Sequence, residues 1–203
     1  VMLTHDNLVS DCFLTQSILD IRDNDVMYAI LPIHHAYAMM GVVYISISCG
    51  AALVFGRKLA MSHIIRELKD GNVTVFMAVP MLYNKMIGAL MAGVRKKGPA
   101  VYGVVRALMG FSGFMKKVFG INVGRRIFHS MLAKLSLDNL RLCISGGGPL
   151  PPSTFRMFQE LGLDFLQGYG LTEASPVTHL NPSKAFRVES VGKLFPEEEV
   201  KIV

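Results

Sequence analysis

Thirty-one consecutive residues, Val26 to Gly56, contain no Asp, Glu, Lys or Arg. A run of that length either crosses a bilayer or passes through the middle of a core. Its punctuation favours the core, because Pro32, His34, His35, Gly41 and Gly50 break it into pieces. Val26 to Leu31 reads as a buried strand ending at Pro32, and a loop carries the two histidines. A helix follows from about Met39 to Ser48, and Gly50 ends it before a second strand, Ala51 to Phe55. Parallel strands covered on both faces appear as unbroken apolar runs, so this is the signature of an α/β core. A membrane span is the alternative.

The same alternation continues along the chain. Met61 to Asp70 places Ile64, Ile65 and Leu68 at helical spacing and stops at Gly71-Asn72. Val73 to Val79 is a strand closed by Pro80, and Met81 to Ala92 is a methionine-rich helix. Leu140 to Ile144 is a strand followed by Ser145-Gly146-Gly147-Gly148-Pro149. A helix begins near Pro151-Pro152-Ser153, where proline is tolerated in the first turn, and ends at Leu161-Gly162. Asp164 to Leu166 is the next strand, followed by a loop, Gln167 to Glu173. Strand and helix alternate with short connections, which predicts an α/β fold: a mostly parallel sheet with helices on both faces. With 51% hydrophobic and 18% charged residues, disorder is excluded.

Charge is unevenly placed. From Gly71 to Leu137 there is no acidic residue and there are ten basic ones: Lys85, Arg95, Lys96, Lys97, Arg106, Lys116, Lys117, Arg125, Arg126 and Lys134. The rest of the chain carries eleven basic and fifteen acidic residues. The block reads as helical, interrupted by glycines at 98, 103, 110, 113, 120 and 124. Its apolar members, among them Val104, Leu108, Met109, Phe111, Phe114 and Val118, are expected to form one stripe under a cationic face. Residues 71–137 therefore predict peripheral contact with an anionic membrane, with steering of polyphosphate as a competing use and a plain solvated face as the alternative. No interleaved aromatic and basic motif and no zinc finger is present, so no nucleic acid partner is expected. Cys12, Cys49 and Cys143 lack C-x-x-C spacing and read as small buried residues of a reducing compartment. No leader pattern precedes them. A cytoplasmic location, peripheral to the membrane, is the expectation.

Ligands of open parallel sheets gather at the carboxyl ends of the strands, and three segments put special residues there: Pro32 to Tyr37, Ser145 to Pro149, and Gly168 to Glu173. Three glycines after a strand let a ligand lie on bare backbone; a tight strand-to-helix turn is the other reading. In the third segment, the glycines flanking Tyr169 allow a sharp turn that presents a flat ring. Thr172 adds a hydroxyl and Glu173 a carboxylate. Ring, hydroxyl and hard oxygen ligand in five residues suit a nucleotide with Mg²⁺. Neither the dinucleotide fingerprint nor a G-K-[ST] loop occurs. His34 and His35 either line this edge or form a hydrogen-bonded core pair, and the remaining histidines show no metal spacing.

Gln167 to Glu173 resembles the Q-G-Y-G-L-T-E motif of the adenylate-forming (AMP-binding) superfamily, which includes acyl-CoA synthetases, luciferases and peptide-synthetase adenylation domains. Ser145-Gly146-Gly147-Gly148-Pro149-Leu150 is similar to that family's S-G-G-A-P-L, with Gly148 in place of alanine. Leu31-Pro32-Ile33-His34-His35 is similar to its L-P-L-x-H. Val1 to Leu8 resembles the stretch just after its phosphate-binding loop, and Val191-Gly192-Lys193 through Val203 resembles the strand region beyond the active site. The intervening segment looks most like that of a long-chain fatty acid-CoA ligase.

The resemblance implies activation of a medium- or long-chain fatty acid with Mg-ATP to an acyl-adenylate, then transfer to coenzyme A. It places adenine and phosphates on Gly146, Gly147, Gly148, Pro149, Gln167, Gly168, Tyr169, Gly170, Leu171 and Thr172, with Glu173 on Mg²⁺. His35, Tyr37 and Gly168 would meet the acid, and His35, Thr172 and Glu173 would be the catalytic set. An acyl-carrier-protein ligase and a non-catalytic, membrane-associated nucleotide-binding module are the alternatives. By the same resemblance, residues 1–203 are part of an N-terminal adenylation domain. The phosphate-binding loop would precede Val1 and a C-terminal domain would follow Val203, so the chain looks cut at both ends and is expected to be inactive alone.

Overall fold

Seven short strands form one sheet in the order β2-β1-β3-β4-β5-β6-β7 in a computed structural model that describes residues 1–182, 185–196 and 198–201. They are β1 Val26–Ala29, β2 Ala52–Phe55, β3 Val75–Ala78, β4 Leu142–Ser145, β5 Asp164–Gly170, β6 Val177–Leu180 and β7 Lys193–Leu194. The first five are parallel, and β6 and β7 return antiparallel. All four residues of β3 and of β4 are buried, which is why the centre of the sheet reads as unbroken apolar runs. The apolar run of β2 has a different cause: it is an edge strand, and its Ala52 and Phe55 are exposed. From Ile202 onward, the alternating run Lys201-Ile202-Val203 lies outside the described residues.

Helices cover both faces. On one face lie α1 (His5–Ile18) and a continuous helical segment made of α2 (Ala36–Ala38), a π-helical stretch Met39–Tyr44, and α3 (Ile45–Cys49). Their Cys12, Met40, Val42 and Ile45 pack against Met27, Val75, Met77 and Ile144 of the sheet. The start of α1 is set by a capping box, in which Thr4 Oγ1 accepts from the Asn7 N–H at 3.1 Å and Asn7 Oδ1 accepts from the Thr4 N–H at 3.0 Å. The opposite face carries α4 (Met61–Asp70), α5 (Pro80–Arg95), α6 (Pro99–Phe119), α7 (Gly124–Ile127), α8 (His129–Ala133) and α9 (Pro152–Glu160). Tyr83 of α5 centres this layer. Its hydroxyl donates to the carbonyls of Phe76 and Ile144, and its ring meets Phe76, Phe158 and Phe165. The aromatic area is thus buried without orphaning the polar tip.

The basic block departs from its sequence reading. Gly103, Gly110 and Gly113 do not interrupt it; α6 runs unbroken to Gly120, whose φ of +68° ends it. A glycine weakens a helix without stopping it, and α6 is held by the buried Met109 and Ser112. Nor does the apolar stripe lie under a cationic face. Val104, Phe111, Phe114 and Val118 are exposed, while Arg106 turns inward to Glu160 and Lys116 to Asp164 at 2.8 Å. Arg125 spends its guanidinium on the carbonyls of Asp138 and Leu140. Seven of the ten cations are left facing outward. Among the described residues, no helix is long and apolar enough to cross a membrane.

Just ahead of β1, β3 and β4, the fold is locked by charge. Asp25 is buried and accepts from Arg141 Nε at 2.7 Å, Thr74 Oγ1 at 2.7 Å and the Arg22 N–H at 2.8 Å. Burial alone would raise its pKa, but these donors outweigh it and hold the carboxyl below its ordinary value.

Candidate active site

At the carboxyl edge of the sheet, β4 ends at Ser145 and the chain must turn sharply toward α9. Gly147 makes that turn with φ +74°, a backbone conformation that side chains disfavour. Beside it, β5 continues well past the predicted strand end at Leu166. Gln167, Gly168, Tyr169 and Gly170 are extended strand, not loop, because β6 folds back and pairs with them: Gly168 opposite Leu180, Tyr169 opposite His179, Gly170 opposite Val177. The glycines around Tyr169 therefore serve close approach and not a turn. A Cβ at Gly170 would stand 1.9 Å from the Pro176 carbonyl oxygen.

Between these two segments lies a cavity of about 200 Å³. Of the residues read from the sequence, His35, Tyr37, Gly146, Gly147, Gly168, Tyr169, Gly170, Leu171 and Thr172 line it. Gly148, Pro149, Gln167 and Glu173 are not part of the lining. Gln167 is buried in the sheet opposite Ser145. Glu173 is exposed on a 3₁₀ turn, Thr172–Ala174, next to the cavity. His34 is exposed beside His35, the rings 4.5 Å apart, so the pair does not sit in the core.

Each wall has a physical cause. Tyr169 is 46% exposed, with its ring edge-on to His179 at 5.9 Å, and the hydrophobic gain of covering it is left for a ligand. Tyr37 closes the floor: its ring occupies the space a Gly146 side chain would need, 2.9 Å from that Cβ position. Its hydroxyl donates to the Ile144 carbonyl at 3.3 Å. Burial pushes its phenol above the ordinary value, so it remains a neutral donor. Gly41, in the π-helical stretch, brings that helix against Met77 at the same floor.

Several lining residues were not legible in the sequence. Thr15 and Leu19 come from α1, and Pro176, Val177 and Leu180 from β6; only the Thr4-x-x-Asn7 cap could have announced α1. Ser145 lines the cavity with its hydroxyl buried and, among the described residues, without a partner, and the Thr15 hydroxyl is likewise unpaired there. Buried polar atoms without partners cost stability, and a polar ligand in this cavity would satisfy both. Near them, Asp11 is 3% exposed. One of its oxygens accepts from the Val177 N–H at 3.3 Å and the other has no partner among the described residues. Burial pushes its pKa up to about 7; the Val177 bond opposes this and the Glu198 charge adds to it.

The donors also bear on the metal. Thr172 and Glu173 offer one hydroxyl and one carboxylate, both exposed, and no group of three or more His, Cys, Asp or Glu is placed to hold a metal among the described residues. That set fits Mg²⁺, which keeps several waters and takes its other oxygens from substrate phosphates.

Comparison with known proteins accords with this geometry. The sequence profile described as "AMP-binding enzyme" matches residues 1–203. A long-chain-fatty-acid–CoA ligase, ACSBG2 of Xenopus laevis, is 24% identical over 219 aligned residues, covering 100% of this chain and 29% of its own length. Its Homo sapiens counterpart is 28% identical over 210 residues, covering 96% of this chain and 31% of its own. The crystal structure of ATP-bound MatB from Rhodopseudomonas palustris superposes with a TM-score of 0.67 at 24% identity, over 96% of this chain and 31% of that one. The chain thus spans less than a third of each of these relatives.

Proposed function

Because this chain belongs to the AMP-binding enzyme family, we propose that it forms the nucleotide and acid half of an acid–thiol ligase site. In that reaction a carboxylate oxygen attacks the α-phosphorus of ATP and pyrophosphate leaves. The thiol sulfur of coenzyme A then attacks the acyl carbon, its proton goes to solvent or a base, and AMP leaves. The observation that carries this reading is the single cavity shared by the Gly146-Gly147 backbone, the open Tyr169 ring and His35. Adenine would lie between bare backbone and ring, with Gly148, Pro149 and Gln167 supporting the two walls from behind.

The residues have distinct tasks. Carboxylate and triphosphate repel one another, so the site must hold them in line and neutralise charge. Thr172 would bind phosphate and, with Glu173, hold Mg²⁺, which supplies neutralisation of the phosphate charge. His35 stands where the acid would approach, and Tyr37 and Gly168 border the acid. The relatives' names favour a fatty acid as the substrate. With under a third of those proteins' length, residues 1–203 alone are expected not to support acid-dependent pyrophosphate exchange into ATP.

Titration calorimetry with Mg-ATP tests the cavity, and Tyr169→Ala is expected to weaken binding about tenfold, one lost base–aromatic stack. An unchanged affinity removes the assignment. A protein extended to the relatives' length is expected to release pyrophosphate with fatty acids and not without them.

A membrane role has its own support in the solvent-facing Val104, Phe111, Phe114 and Val118 and in the seven outward cations of the block. These residues would rest on an anionic bilayer, each nearby cation contributing about 1 kcal/mol. Equal co-sedimentation with neutral and anionic vesicles would exclude the electrostatic part.

A further inference from the structure

The antiparallel return of β6 onto β5 is not regular. Tyr169 faces His179 and Gly170 faces Val177, so Thr178 is one residue too many on β6. Such a bulge breaks the pairing locally and re-aims the side chains around it. Here it sits beside the aromatic residue that borders the nucleotide cavity.

The extra residue is tied on both sides. Thr178 Oγ1 donates to the Tyr169 carbonyl at 3.3 Å and lies 2.9 Å from Nδ1 of His179. A hydroxyl carries a single hydrogen. Once that hydrogen is given to the Tyr169 carbonyl, Thr178 can only accept from the imidazole. The geometry therefore puts a proton on Nδ1 of His179, and in the neutral ring Nε2 is left as an acceptor. The imidazole so oriented meets the Tyr169 ring edge-on, the centroids 5.9 Å apart and the planes at 69°, a favourable arrangement of two flat rings. Tyr169 is thus held by β6 at its carbonyl through Thr178 and at its ring through His179. The ring gains from being held, because Tyr169 is 46% exposed and a loose side chain must be ordered when a ligand stacks on it.

We propose that Thr178 and His179 are positioning residues for the nucleotide: the bulge aims the imidazole at Tyr169 and sets the phenol ring for stacking before the base arrives. This rests on the reading of Tyr169 as the adenine wall. Among the described residues, neither Thr178 nor His179 lines the cavity, so both act through Tyr169 and not by touching the ligand. The brace therefore matters for ATP and not for a polyphosphate without a base, which would meet Thr172 and Glu173 alone.

The test is calorimetry of the chain with Mg-ATP and with Mg-tripolyphosphate, joined to NMR of the nucleotide-free protein. His179→Ala is expected to weaken Mg-ATP binding about fivefold, the equivalent of about 1 kcal/mol for ordering one side chain, and to leave tripolyphosphate unchanged. Thr178→Val keeps the shape and removes the hydroxyl, and should cost about twofold, part of one hydrogen bond. His179→Phe, which restores a ring edge, should recover most of the loss. In a Tyr169→Ala background, His179→Ala should cost nothing more. Without nucleotide, imidazole nitrogen shifts in mildly alkaline buffer should place the proton on Nδ1. Three-bond couplings should show one χ1 rotamer of Tyr169 in the parent and averaging in His179→Ala. A folded His179→Ala protein that keeps its Mg-ATP affinity would overturn the brace, as would an equal loss with tripolyphosphate. So would the same loss on top of Tyr169→Ala, a proton on Nε2, or a Tyr169 ring already averaging in the parent. A parent that binds no Mg-ATP removes the nucleotide reading instead, and the two NMR measurements then decide the brace by themselves.

Discussion

At the amino ends of β1, β3 and β4 the buried carboxylate of Asp25 is held by Arg141, Thr74 and Arg22. At the carboxyl ends of β4 and β5, Ser145 and, from the adjoining α1, Thr15 keep hydroxyls without partners among the described residues, and Tyr169 is half exposed. The same sheet therefore has one edge with its polar groups satisfied internally and one edge left open. Satisfied groups stabilise the fold alone; open ones cost stability until a ligand meets them. The division between holding and binding is written into which end of the strands a residue occupies.

The largest way to break this comparison is Arg141→Ala. It leaves Asp25 buried without its main partner, and a loss of about 3–5 kcal/mol is expected from denaturant unfolding, with Mg-ATP affinity per folded molecule unchanged. A loss under about 1 kcal/mol would mean the amino edge is not the lock described. Next comes Asp11, whose pKa near 7 lies above the ordinary carboxyl value of 3.8. The folded chain holds that proton more tightly than the unfolded one, so stability should fall as pH rises from about 4 to about 7, by on the order of 3 kcal/mol. Asp11→Asn should flatten that slope and be the more stable protein at pH 8; a slope that survives the substitution would place the titration elsewhere. The smallest effect sharpens the open edge. Ser145→Ala removes a buried hydroxyl that costs stability while unpaired, so the ligand-free protein should gain up to about 1 kcal/mol while Mg-ATP binding weakens about fivefold, one hydrogen bond. A stability loss above about 1 kcal/mol would show that the hydroxyl already has a structural role.

Much of the parallel half was readable from residues near in sequence. The apolar runs of β1, β3 and β4, the stop at Gly71-Asn72, and the helix Met61–Asp70 all lie where local pattern put them. The strand character of Gln167 to Gly170 was not readable, since nothing local tells a strand from a glycine-rich turn when the partner strand begins seven residues later at Val177. Gly168 and Gly170 do not make the expected turn: Gly170 leaves room for the Pro176 backbone, and Gly168 for Leu180 and the His179 carbonyl. The direction of Arg106 and Lys116 was equally hidden, because an unpaired cation in the sequence finds Glu160 or Asp164 only when α6 packs beside α9 and β5.

What the amino-acid sequence determined by itself is the alternation of strand and helix, the two-sided covering of the sheet and the three segments that reach its carboxyl edge. Those follow from hydrophobic period and from backbone conformations that only certain residues tolerate, both local properties. The tertiary structure alone decided that Tyr169 stands on a strand, that α1 and β6 complete the cavity with Thr15 and Val177, and that three of ten cations turn inward. Each depends on which segments meet across long stretches of chain, and a contact of that kind leaves no periodic trace in either partner.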